Sequence, residues 1–173
     1  MTHPAIQTLC DTLDRHTALM RELVELSQRE QQHLLAFEVR GLVGCTEEKR
    51  ALTGQLENSE RNIREGLTSA AQALKLEHSS TLTVTQLCEH VDEATGTTLT
   101  DAVTCLQALA GSLRELQGMN LVQAERGQRF VRAYAALLRS SAVDTENSSS
   151  DLYTAKGRAR AVTIPRGTIA RNA

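Results

Sequence analysis

The stretch Ile6-Gln7-Thr8-Leu9-Cys10-Asp11-Thr12-Leu13-Asp14-Arg15-His16-Thr17-Ala18-Leu19-Met20 decides the fold class, because its apolar residues return at steps of three and four. That spacing places them on one face of an α-helix, whereas a half-buried strand would alternate. The seam continues through Leu23, Ser27, Glu30, Leu34 and Phe37, a heptad-like row with polar interruptions. It predicts a first helix of roughly 35 residues, about 50 Å long at about 1.5 Å per residue. The helix is expected to weaken at Gly41 and Gly44. Thr46 then offers an N-cap, Glu47 and Glu48 suit the positive end of a helix, and Leu52, Leu56, Ile63, Leu67, Ala70 and Leu74 form the next stripe. A second long helix packed antiparallel on the first, with the turn at the glycines, is favoured over one continuous kinked helix.

Further along, residues 77 to 100 are rich in Ser and Thr, with a short apolar cluster at Val84, Leu87, Cys88 and Val91 that predicts two or three helical turns after Thr83. From about Thr100 to Leu138 the seam resumes as Val103, Leu106, Ala110, Leu113, Gln117, Asn120, Ala124, Gly127, Val131, Tyr134 and Leu138. The middle of this third helix carries small or polar residues where a dense core would need Leu. Two accounts of that middle stand side by side. In one, Gln117 and Asn120 are a buried polar pair that sets register. In the other they line a groove held for a partner helix, with Leu113, Leu116, Phe130 and Leu137 as apolar anchors. The polar stretch Ser140 to Ser150 lacks the apolar surface that offsets ordering, so a flexible linker and tail are expected over 140–173, after a helical domain over 1–139.

Composition supports the all-α reading, a long antiparallel hairpin plus a third long helix. The chain has 173 residues, enough for one core, yet aromatics are 2% and Trp is absent. Leu, Ala and Val supply the apolar content, as in helix seams. The formal net charge of −2 excludes a whole-protein field that would gather nucleic acid. From Lys156 onward the chain carries Arg158, Arg160, Arg166 and Arg171 with no acidic residue, a local basic arm without aromatics for base stacking. No run of apolar residues is long enough to span a bilayer, and no cationic segment followed by an apolar run opens the chain, so a reducing, cytoplasmic setting without stable membrane insertion is expected.

The chemistry-bearing patterns are thin. Cys10, Cys45, Cys88 and Cys105 include no Cys-x-x-Cys pair. Glu30-x-x-His33 has the spacing of a di-iron helix, but the second Glu-x-x-His that such a site requires is missing. Cys88 and His90 point in different directions on a helix. Neither a nucleophile elbow nor a phosphate loop occurs, so no catalytic residue, metal or cofactor is expected.

One pair resists explanation by folding. Leu152 and Tyr153 follow a polar linker in a chain nearly devoid of aromatics, and read as a hook for a partner. Burying each would contribute about 1.5 to 3 kcal/mol, against about 1 to 2 kcal/mol for each backbone residue ordered, so such binding is weak and transient.

Leu152-Tyr153-x-x-x-Gly157 with the later Arg166-Gly167 resembles the tail of FlgN-type flagellar export chaperones. Leu116-Gln117-Gly118-Met119-Asn120-Leu121, followed by Gln128 and the apolar repeat to Leu138, is similar to that family's C-terminal helix. Glu30-Gln31-Gln32-x-Leu34 and Thr46-Glu47-Glu48-Lys49, with Arg61 beyond, are similar to its N-terminal hairpin. The resemblance implies a chaperone that binds the amphipathic terminal helices of hook-filament junction proteins and hands them to the cytoplasmic domain of the flagellar export gate, with the export ATPase as a further partner. It implies cargo recognition on the C-terminal helix, at Leu113, Leu116, Gln117, Asn120, Phe130, Val131, Tyr134 and Leu137, and gate recognition at Leu152, Tyr153 and Gly157. A helical-bundle subunit that self-associates through the same seams, with no client, is the competing reading.

Overall fold

The structure, a computed structural model, describes residues 3–76 and 82–150, with side chains as far as residue 140. Its elements are α1 (Pro4–Ala36), α2 (Val39–Ala73), the single turn α3 (Val84–Leu87) followed by a 3-10 turn at Cys88–His90, and α4 (Glu93–Ser150). No strand occurs among the described residues. The chain divides into two units, Met1–Gly127 and Gln128–Ala173.

α1 begins at His3, whose ring Nδ1 accepts from the Ala5 N–H at 3.2 Å, and Pro4 occupies the first turn, where its missing N–H leaves no bond unmade. The helix buries Ile6, Leu9, Leu13, His16, Leu23, Leu26 and Ser27, the face expected from the spacing. It ends in a Schellman motif: the Glu38 N–H donates to the His33 carbonyl at 3.0 Å and the Phe37 N–H to the Leu34 carbonyl at 3.4 Å. Phe37 sits at φ 56, in the left-handed region that glycine usually fills at this position.

The chain therefore reverses at Phe37 and Glu38, not at Gly41 and Gly44. Both glycines lie inside α2, and Thr46 is no N-cap, since its hydroxyl donates to the Leu42 carbonyl one turn back at 2.8 Å. Burial explains the early start: Cys45 is 2% exposed and packs with Leu23, Leu26, Leu52 and Leu56, so the apolar face of α2 reaches upstream past the glycines. Gly41 has a packing reason as well. A Cβ built there would fall inside the ring of His33, which reaches Glu38 Oε2 at 2.8 Å.

α1 and α2 are antiparallel. Arg29 pairs with Glu48 at 2.8 Å and Glu30 with Lys49 at 2.6 Å near one end, while Leu9 lies against Gly66 toward the other. The exposed Arg29–Glu48 pair contributes little, on the order of 0 to 1 kcal/mol. The helices are held instead by two apolar clusters. Ile6, Leu9, Leu13, Ala70, Leu87 and Leu99 form one, to which α1, α2, α3 and α4 each contribute. Leu23, Leu26, Cys45, Leu52 and Leu56 form the other, with Leu113 of α4 packed against it.

The expected turn after Thr83 is present as α3, closed by a capping box between Thr83 and Gln86. α4 starts earlier than Thr100. The Asp92 carboxylate accepts from the Thr95 N–H at 3.1 Å and from its hydroxyl, which also holds that carboxyl below its usual range. Burial of Thr95 and Leu99 outweighs the weak helix preference of the Thr-rich segment. Within the first unit α4 runs parallel to α1, since Arg21 reaches Cys105 Sγ, Asn120 reaches Ser27 and Gly127 lies against Phe37. The helical backbone continues to Ser150, over the stretch read as a linker from Ser140; adding a residue to an existing helix avoids the cost of nucleation. Leu152, Tyr153 and Gly157 lie outside the described residues.

Candidate partner-binding surface

Asn120 is 5% exposed, and its side-chain amide ties α4 to α1. Nδ2 donates to the Ser27 carbonyl at 2.9 Å and to Glu30 Oε2 at 2.6 Å. The same Glu30 oxygen takes Lys49 Nζ at 2.6 Å. Three helices thus meet on one carboxylate oxygen. Asn120 is thus a buried polar residue of the seam, but its partners are Ser27, Glu30 and Lys49, whereas Gln117, read as the other half of a buried pair, is exposed. Glu30 is thereby occupied by a cation and an amide, and His33 by Glu38, so the Glu30-x-x-His33 spacing assembles no donor set. Among the described residues no cluster of His, Cys, Asp and Glu is arranged to hold a metal ion.

Two shallow grooves flank this row of α4. One is lined by Gln31, Gly118, Met119, Val122 and Arg126. The other is lined by Leu34, Lys49, Gln117, Asn120, Leu121 and Ala124. Gln117 is exposed on the rim of the second, Leu116 is half-buried, and Leu113 belongs to the bundle core. Of the expected cargo residues in this unit, Leu113 and Asn120 pack α4 onto the hairpin, Leu116 is half-buried and Gln117 is exposed.

The second unit presents a different face. Phe130, Val131, Tyr134, Leu137 and Leu138 are all more than half exposed, from 53% at Leu138 to 67% at Leu137. The seven-residue step that gives Leu99, Leu106, Leu113, Asn120 and Gly127 reaches Tyr134 next, so these residues continue the α4 seam in sequence. Contiguous exposed apolar side chains of this size mark interaction sites in soluble proteins. A further exposed set was not anticipated: Leu35, Phe37, Val39 and Val43 surround the α1–α2 turn. The signal was the density of apolar residues at Leu34, Leu35, Phe37, Val39, Leu42 and Val43, obscured when Gly41 and Gly44 were read as the turn.

The titratable and thiol groups of the core are structural in setting. Burial pushes the Cys45 thiol up, and burial with nearby Asp14 and Asp11 does the same for Cys10. Burial lowers His16, opposed by the charge of Glu60. No helix among the described residues is long and apolar enough to cross a membrane.

The first unit is thus a helical hairpin that holds α4 in register at Asn120, and the second is a helix with exposed apolar side chains at Val131, Tyr134 and Leu137. The chain belongs to the FlgN family: the FlgN protein family matches residues 1–161. Membership makes it a flagellar export chaperone that binds flagellar cargo proteins. No curated protein and no solved structure matches the chain.

Proposed function

We propose that this chain acts in the cytoplasm, where it takes the amphipathic terminal helices of hook-filament junction proteins on the distal face of α4 and delivers them to the export gate. The observation that carries the reading is the exposed stripe of Val131, Tyr134 and Leu137, which continues the seven-residue spacing of the α4 seam. A cargo helix seated there would bury those side chains and its own, which suppresses premature polymerisation and aggregation before assembly. Leu116 and Gln117 remain cargo candidates by their accessibility, while Leu113 and Asn120 serve the bundle. Leu152 and Tyr153 are the proposed gate contact, with Gly157 permitting a turn, as the resemblance of the tail implies. The gate lies at the inner membrane, so association with that membrane is transient and goes through the export apparatus.

Size-exclusion chromatography with light scattering, on the chain co-expressed with the C-terminal segment of a hook-filament junction protein, tests the cargo step. A stable complex that Tyr134→Ala combined with Leu137→Ala disrupts is expected. Separate elution, with this chain running alone as a discrete oligomer, would instead favour self-association through the same stripe. Tyr153→Ala is expected to leave cargo affinity intact and to weaken binding of the gate's cytoplasmic domain. Loss of cargo binding in that variant, measured by calorimetry, would refute the separation of the two steps.

A further inference from the structure

The distal face of α4 also carries a charge pattern that specifies its occupant. Between Gln128 and Ser140 the chain has Arg129, Arg132 and Arg139 and no acidic residue. Arg132 and Arg139 each follow a seam residue, Val131 and Leu138, and stand seven residues apart, so they occupy one row along one border of the stripe. The residue between that border and the seam is the small, half-buried Ala135. Arg139 Nε donates to the Ala135 carbonyl at 3.1 Å, which holds its side chain along the helix on the turn that carries Ala135. A guanidinium held at the edge of an apolar surface is a fork for a carboxylate, because desolvation at the rim strengthens the pair and its planar donors fit both oxygens.

We propose, building on the cargo reading above, that the helix seated on this face is amphipathic and carries carboxylates in one flanking row at seven-residue spacing, matched to Arg132 and Arg139. The apolar stripe sets that a helix binds, and the arginine row sets which helix and in which register. A protein helix is favoured over a lipid surface because the stripe keeps the heptad spacing of the packed part of α4, which a bilayer does not require. A row of arginines along one border also selects against helices with basic flanks, since like charges opposed across an interface disfavour the wrong partner.

The test uses the full chain and three synthetic amphipathic helical peptides that share one apolar face and differ only in the flanking row, which is Glu, Gln or Lys. Fluorescence anisotropy at low salt is expected to rank Glu above Gln above Lys, with roughly tenfold between the first two. That gap is expected to close in Arg132→Gln combined with Arg139→Gln, and to shrink as salt is raised. Equal binding of the Glu and Gln peptides, with both weakened by Tyr134→Ala and Leu137→Ala, would overturn the charge rule and leave the cargo surface standing. Binding of all three peptides unchanged by the Tyr134 and Leu137 substitutions would overturn the cargo surface itself. Arginine-dependent binding to phosphatidylglycerol vesicles, without any preference among the peptides, would overturn the proposal in favour of a membrane surface.

Discussion

Asn120→Asp exchanges one nitrogen for oxygen without changing shape, and the network around it gives the substitution a defined penalty. Nδ2 now donates to the Ser27 carbonyl at 2.9 Å and to Glu30 Oε2 at 2.6 Å. An ionised carboxyl in its place would face an acceptor and a second carboxylate. At about 3 Å and an effective dielectric of about 20 the repulsion alone is about 5 kcal/mol. Taking up a proton is the easier escape, because the protonated form donates to Glu30 again. Holding a carboxyl protonated at pH 7 when its unfolded pKa is about 3.9 costs about 1.4 kcal/mol for each of about three units, hence about 4 kcal/mol. The introduced group has a folded pKa above its unfolded one, so the folded state binds the extra proton. Stability of the variant relative to the parent therefore falls by about 1.4 kcal/mol per pH unit as pH rises from about 4 to about 7. Asn120→Ala loses both hydrogen bonds but also removes the buried Oδ1, which has no hydrogen-bond partner. A loss of about 2 kcal/mol without pH dependence is expected there. Urea unfolding followed by circular dichroism, at several pH values for the three proteins, separates the cases. If Asn120→Asp stayed within about 0.5 kcal/mol of the parent at pH 7, or followed Asn120→Ala at every pH, the three-helix network would not exist as described.

Two further perturbations probe the bundle. His16 is buried with its Nδ1 unpartnered and its ring held neutral by burial, so the unfolded state takes up a proton first as pH falls. Stability is expected to decline below an unfolded pKa of about 6.5, and His16→Leu is expected to flatten that decline; identical slopes in the two proteins would show that another group titrates. Gly44 has open space where a Cβ would stand, so Gly44→Ala is expected to stabilise by about 0.5 to 1 kcal/mol and raise Tm by about 2 °C. Gly41→Ala is expected to lower Tm, because the His33 ring must move. Thermal unfolding of both variants checks the pair, and two losses of stability would restore the turn to the glycines.

How much of this was legible follows from the kind of signal each element leaves. The seam of α1 was readable because apolar spacing reports burial directly, and the cap of α3 because Thr83 and Gln86 are three apart and each satisfies the other's backbone N–H. The reversal between α1 and α2 was not. Its Schellman motif puts Phe37 where a glycine would have announced it, and the visible glycines, Gly41 and Gly44, lie within a helix. The start of α4 was hidden by the Thr-rich run from Thr95 to Thr100, where tertiary burial of Leu99 prevails over local preference. For the partner-binding surface, periodicity identified the face of α4 but not which of its residues are buried. Asn120 buried beside an exposed Gln117 is a fact of packing.

The distribution of residues along the α4 seam follows from what each part must do. Where the helix lies on the hairpin, a row of Leu alone would bind tightly yet would tolerate slippage by a heptad, since each such row resembles the next. Asn120 removes that freedom. Its amide is satisfied only opposite the Ser27 carbonyl and the Glu30–Lys49 pair, and a shift of one heptad would bury it without either acceptor. Such a polar contact adds less stability than a Leu would, and its benefit is uniqueness of register. With register set at Asn120, the seam reaches Gly127 against the ring of Phe37. Within the first unit the seam therefore changes character, from Leu99, Leu106 and Leu113, which pack on the hairpin, to Asn120, Ala124 and Gly127, where one polar contact and small side chains hold the register.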